Sequence, residues 1–114
     1  MAHRDVLDAL LHDYTTRAEA IRRDLGRSHS ADFAEQAQQR QNDEVLEALL
    51  AEAEHGVLLV RQAQRRLAEG RYGECLCCGE PVEAARLAAL PVAEYCLRCA
   101  EDLGDYSSQA ARLK

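Results

Sequence analysis

Four of the five cysteines in this 114-residue chain fall in the pattern C-x2-C-x17-C-x2-C, at Cys75, Cys78, Cys96 and Cys99. Two CxxC pairs at this separation suit one tetrahedral Zn²⁺: each pair wraps one side of the ion, and the intervening loop returns the second pair to close the shell. Four thiolates leave no position for water, so the site is structural and any function lies in what the zinc holds in place. The fifth cysteine, Cys77, has three readings: a small space-filling residue, a substitute ligand, or an oxidation-sensitive thiol. A dithiol redox motif is the rival for one CxxC, but no βαβ pattern surrounds it and the second pair would go unexplained.

Catalytic zinc chemistry does not fit. There is no HExxH and no HxE followed by PCxxC, and His3, His12, His29 and His55 all lie outside the cysteine segment, where they read as surface residues. The expectation is a protein that is not an enzyme. A formal net charge of −6 argues against bulk affinity for DNA or RNA, which is largely phosphate neutralisation. No stretch approaches the roughly 20 apolar residues of a membrane span. Met1-Ala2-His3-Arg4-Asp5 leads into Asp8 and Asp13 rather than into the apolar run of a signal peptide. With thiolate ligands and an odd cysteine count, the chain reads as cytoplasmic.

The elements that must carry the metal segment are helical. Leu7, Leu11, Tyr14, Ala18, Ile21 and Leu25 alternate spacings of 4 and 3, a coiled-coil seam that stops at Gly26-Arg27-Ser28-His29-Ser30. Ser30 or Asp32 is placed to cap a second helix. That helix carries the seam Leu46, Leu49, Ala53, Gly56, Val60, Ala63 and Leu67 and ends at Gly70. Folding about residues 27–30 predicts an antiparallel hairpin with Leu25 near Phe33, Ile21 near Ala37, Tyr14 near Val45 and Leu11 near Leu49. Gly56 either permits close helix approach or marks a bend. Gln36 to Glu44 is nearly all polar, so the far end of the hairpin is the least packed: a solvated tip, or a polar finger made to work inside another molecule. The pairs Arg22-Arg23 and Arg65-Arg66 read as solvated faces.

The metal segment contributes only Val82, Leu87, Leu90, Val92 and Tyr95 as large apolar residues between the cysteine pairs, so zinc must supply much of its folding free energy. Gly79, directly after Cys78, allows the tight turn that aims backbone N–H groups at the sulfurs. The run from Ala100 to Lys114 predicts a short final helix. The reading is a mostly α chain with residues 1–69 as a coiled-coil helical hairpin, tip at about 27–35. Residues 70–114 form a small C4 zinc-finger module with a C-terminal helix.

At this level of detail the chain resembles the DksA/TraR family of C4 zinc-finger proteins. The residues that carry the likeness are Arg66-Leu67-Ala68-Glu69-Gly70-Arg71-Tyr72-Gly73-Glu74-Cys75, Cys78-Gly79-Glu80-Pro81-Val82, Arg86-Leu87 with Pro91, and Cys96-x-x-Cys99. His29-Ser30-Ala31-Asp32-Phe33-Ala34 adds a second match at the hairpin tip, and the chain is similar to the family's short members. The resemblance implies a bacterial regulator that binds RNA polymerase through its secondary channel and places the coiled-coil tip near the active centre to modulate initiation. It also implies the alarmone ppGpp in the complex, with no residue of this chain matched to it. No sequence-specific DNA binding is implied. The family's tip motif is D-x-x-D-x-A. Here His29 replaces the first aspartate, Asp32 supplies the functional carboxylate and Ala34 the close approach. Three rivals remain: a transcript-cleavage factor whose Asp32 and Glu35 hold Mg²⁺ in the polymerase, a zinc-ribbon nucleic-acid binder, and a redox sensor using Cys77.

Overall fold

The structure, a computed structural model, describes residues 2–27 and 33–103. Two long helices come first, α1 (Ala2–Leu25) and α2 (Phe33–Ala68), followed by two short ones, α3 (Ala84–Ala89) and α4 (Leu97–Asp102). Among the described residues the only β pairing is a single antiparallel bridge between Glu74 and Pro81. These residues form two compact units: one joins the start of α1, up to Leu7, to everything from Gln62 onward, and the other is Asp8–Arg61.

Each long helix begins and ends for local reasons. Asp5 in the first turn of α1 and Arg22 and Arg23 in its last turn match the helix dipole at both ends. The Gly26 N–H closes α1 on the carbonyls of Arg22 and Arg23, at 3.0 and 3.2 Å. At the end of α2, Gly70 takes φ +77°. The Arg71 N–H then reaches the Arg66 carbonyl at 2.8 Å, and the Gly70 N–H reaches that of Leu67 at 3.1 Å. This pair of bonds is the Schellman arrangement, which needs a left-handed residue at the position Gly70 holds.

In the Asp8–Arg61 unit the seams named above supply the core: Ala18 and Ile21 from α1, Ala53 and Val60 from α2, with Val60 fully buried. Burying a side chain of that size contributes about 1.5–3 kcal/mol. Arg22 and Glu54 pair across the two helices at 2.7 Å on an exposed face, an interaction worth less than about 1 kcal/mol.

The register differs from the sequence expectation. Tyr14 lies against Gly56, where a Cβ would sit 2.6 Å from the ring. It does not face Val45, which is 57% exposed, and Leu49 is 43% exposed. Ala37, expected beside Ile21, is exposed as well. The cause is the unequal length of the helices, 24 residues against 36. A fold point in the sequence does not fix the register when one helix outruns the other. The tyrosine ring needs a gap, and α2 offers one only at its single glycine. Gly56 therefore serves close approach, not a bend.

In the other unit Leu7 is fully buried, and Val82, Ala93 and three of the cysteines form a small cluster with Leu87 and Tyr95 packed on it. The final helix starts earlier than the expected Ala100, at Leu97, because Cys96 caps it: the Cys96 Sγ accepts the Cys99 N–H. The expected continuation over 104–114 lies outside the described residues. Helix α3 was not foreseen; it buries none of its residues, so it leaves no apolar periodicity to read.

Candidate metal centre

The first metal knuckle is a turn closed by backbone bonds. The Cys75 N–H donates to the Glu80 carbonyl at 2.8 Å, the Gly79 N–H to that of Cys75 at 2.9 Å, and the Val82 N–H to that of Gly73 at 2.7 Å. Gly79, at φ +80°, makes the reversal possible. The second pair sits at the start of α4. One backbone bond, from the Leu76 N–H to the Glu94 carbonyl at 2.8 Å, draws the two halves together. The connecting segment is held by Arg86 Nε donating to the Tyr95 carbonyl and by the Tyr72 hydroxyl donating to that of Pro91, both at 2.8 Å.

These bonds place the sulfurs of Cys75, Cys78, Cys96 and Cys99 within 4.8 Å of one another. The Cys78 and Cys96 sulfurs are 3.9 Å apart. With Zn–S bonds of about 2.3 Å, a tetrahedron has edges of about 3.8 Å, so the donor set fits a zinc ion. It does not fit a disulfide, whose sulfurs stand about 2.05 Å apart, and all the cysteines are free thiols. Cys75, Cys96 and Cys99 are 2, 6 and 4% exposed, and Cys78 lies at the surface. Cys77 is exposed and outside the cluster. Among the described residues no other group of three or more His, Cys, Asp or Glu side chains could hold a metal. His12 and His55 are both exposed.

The electrostatics of Cys75, Cys78 and Cys99 also suit a bound cation. Burial opposes ionisation of Cys75, but the N–H groups of Cys78, Cys96 and Cys77 outweigh it and lower its pKa to about 6. The Cys99 thiol is pushed up, first by its hydrogen bond with Cys96 and then by burial and the sulfurs of Cys75 and Cys78. At Cys78 the Glu80 N–H favours the thiolate, yet partial loss of hydration and the sulfurs of Cys75 and Cys96 raise the pKa overall. Without a cation, then, ionising one sulfur disfavours the next. A divalent ion removes that conflict and lets all four ionise.

Of the residues expected at the hairpin tip, His29 and Asp32 lie outside the described residues. Ala34 falls in the first turn of α2, with its side chain, like that of Glu35, likewise outside the description. A buried charge escaped the sequence reading: Arg66 is 5% exposed, whereas its neighbour Arg65 is exposed. The signal was available, because Arg66 stands three residues after buried Ala63 and so shares its face.

A helix pair joined to a closed four-cysteine knuckle defines a class, the C4 zinc-finger proteins built on a long helical N-terminal region. Residues 70–103 match the prokaryotic dksA/traR C4-type zinc finger, and residues 3–67 match the DnaK suppressor protein-like N-terminal domain. The chain belongs to this DksA-like family, and its finger holds one structural Zn²⁺. Among solved structures it is similar to transcription factor DksA2 from Pseudomonas aeruginosa, with 29% identity and a TM-score of 0.81 over 92% of this chain and 82% of that one. It is also similar to the DnaK suppressor protein from Agrobacterium tumefaciens C58, with 28% identity and a TM-score of 0.60 over 89% of this chain and 90% of that one. An uncharacterised protein of Aquifex aeolicus (strain VF5) is 42% identical over 41 residues, which is 36% of this chain and 28% of the relative. The match thus spans less than a third of that relative. No described helix is long and apolar enough to cross a membrane.

Proposed function

We propose that this protein is a DksA-type transcription factor that acts by binding RNA polymerase through the secondary channel, with the end of its helical hairpin near the active centre. The observation that carries the reading is the match of both family segments in order, together with the 0.81 TM-score to transcription factor DksA2. In this reading residues 1–69 are the probe and residues 70–114 the base. Cys75, Cys78, Cys96 and Cys99 hold the zinc that shapes the base. Asp32 supplies the carboxylate that modulates initiation, Ala34 the close approach, and His29 adjusts the local charge. The protein catalyses nothing itself, works in the cytoplasm beside the polymerase, and acts alongside ppGpp in the complex.

Two measurements test this. Purified zinc-loaded protein should retain RNA polymerase in a pull-down. The Asp32→Asn variant should bind nearly as well but lose its effect on transcription from a ribosomal promoter, assayed with and without ppGpp. Unchanged regulation by Asp32→Asn would remove the assigned role of the tip. Stimulated RNA cleavage in backtracked complexes would move the function to the cleavage class.

A further inference from the structure

Arg65, Arg66, Arg71, Leu76, Glu94 and Tyr95 line an open groove of about 490 Å³ in the unit that carries the metal centre. The chain as a whole has a formal charge of −6, yet here three guanidinium groups surround one depression against a single lining carboxylate. Arg71 is partly answered by its ion pair with Glu69, which does not line the groove. Arg66 is answered only at long range. Its Nη1 stands 4.0 Å from a Glu94 carboxylate oxygen, an ion-pair distance beyond hydrogen-bond reach, and its Nε and Nη2 are buried without a hydrogen-bond partner. A buried, under-neutralised cation in a region of reduced dielectric projects its field into the adjoining cleft. Arg65 and Arg71 stand exposed at that cleft and can donate directly to a visitor.

The form of the groove indicates the kind of visitor. Small-molecule sites bury most of their ligand in a concavity, and this groove is open along its length. It instead sets arginines beside half-buried Tyr95 and beside Leu76, which is 47% exposed. Arginine and tyrosine beside apolar surface are characteristic of the energetic centres of protein–protein interfaces. We infer that the groove docks an acidic segment of a partner protein. An Asp or Glu carboxylate is received by Arg65 and Arg71 under the field of Arg66, and a neighbouring apolar side chain lies on Leu76 and Tyr95. This rests on the reading that the protein works by binding another protein, and it assigns a docking surface on the metal-bearing unit in addition to the hairpin tip.

The test uses the zinc-loaded full chain and the double variant R65E/R71E, which leaves buried Arg66 in place so that folding is not the variable. Arginine Nε–H and backbone amide NMR signals are followed during titration with acetyl-Leu-Glu-Glu-Leu-amide, with its Gln-for-Glu counterpart, and with inorganic phosphate. The expected result is shifts at Arg65, Arg71, Leu76 and Tyr95 with the acidic peptide only, absent in the double variant. Affinity for RNA polymerase should fall roughly 10-fold or more in R65E/R71E and weaken with salt in the wild type, at unchanged zinc content. Equal shifts with the Gln peptide, no shifts with either, or unaltered polymerase affinity in the double variant overturn the inference. A stronger response to phosphate than to the peptide overturns it in favour of a phosphate ligand. If the wild-type protein fails to bind polymerase at all, the transcription reading falls while the peptide titration still decides the groove.

Discussion

Residues 73–82, the first metal knuckle, and residues 36–45, near the start of α2, are both poor in large apolar side chains, yet their backbones are held in different ways. The knuckle has no regular element; three turn hydrogen bonds and two thiolate ligands fix it. The α2 stretch is regular helix, but its side chains are exposed or at most half-buried, and Val45 at its end is 57% exposed. In the knuckle order is imported from a metal. In early α2 it rests on helix propensity and on continuity with the packed helix that follows. The contrast teaches that a polar segment needs either a ligand or a neighbour in sequence, and that the two supports fail under different insults.

Removing the metal should give the largest effect. Structural zinc binding in finger peptides is worth about 10–16 kcal/mol at neutral pH, far more than the small cluster around Val82 and Ala93 can replace. Chelation, or Cys99→Ser, should collapse the amide dispersion of residues 71–100 while most of the far-UV helix signal from α1 and α2 remains. Dispersion that survives in metal-free protein would reverse the comparison, because the knuckle would then be self-supporting.

A smaller but sharper effect is expected within the packed part of α2. Alanine at position 56 gains about 1 kcal/mol of helix propensity over glycine, yet its Cβ would stand 2.6 Å from the Tyr14 ring. Overpacking of that kind costs about 1–3 kcal/mol, so Gly56→Ala should lower the stability of the helix pair in urea denaturation. In a Tyr14→Ala background the same change should be neutral or stabilising. Equal destabilisation in both backgrounds would break the register described above.

This register marks where the sequence stops being legible. The metal site was readable because ligand identity and spacing are both local. The seams were readable for the most part, since Leu7, Ala18, Ile21, Ala53, Val60 and Ala63 are all buried, with Leu49 the exposed exception. Which turn of α1 meets which turn of α2 is a three-dimensional fact set by a ring and a missing Cβ, and no spacing rule contains it. Arg65-Arg66 failed for a related reason. Adjacent helix positions point about 100° apart, so one arginine reaches solvent while its neighbour is enclosed. In the metal unit the hydrogen bonds that fix the loop, such as Tyr72 to Pro91, join residues far apart in sequence.

Tyr72 gives a third and more modest effect. Burial raises its pKa above 10, against a smaller opposing influence of Arg66. A phenol whose folded pKa is raised contributes stability that is intact below the unfolded value of about 10 and is lost as pH climbs through the folded one. Tyr72→Phe should remove the bond to Pro91, for about 0.5–1.5 kcal/mol, and abolish this alkaline loss. Ultraviolet titration of the phenolate alongside unfolding curves at neutral and alkaline pH checks both.

The smallest effect should fall on early α2, where it separates stability from function. Gln38→Ala and Gln41→Ala replace exposed residues with a better helix former, so each should alter stability by less than about 0.5 kcal/mol. If the polar start of α2 is merely solvated, transcription by polymerase in the presence of either variant is unchanged. If it is a surface made for the inside of another molecule, regulation changes while the denaturation curve does not. A segment without packing partners of its own has little stability to lose, so a functional loss there points to an external partner. The same loss in the knuckle would not, because a knuckle variant that sheds zinc also sheds its fold.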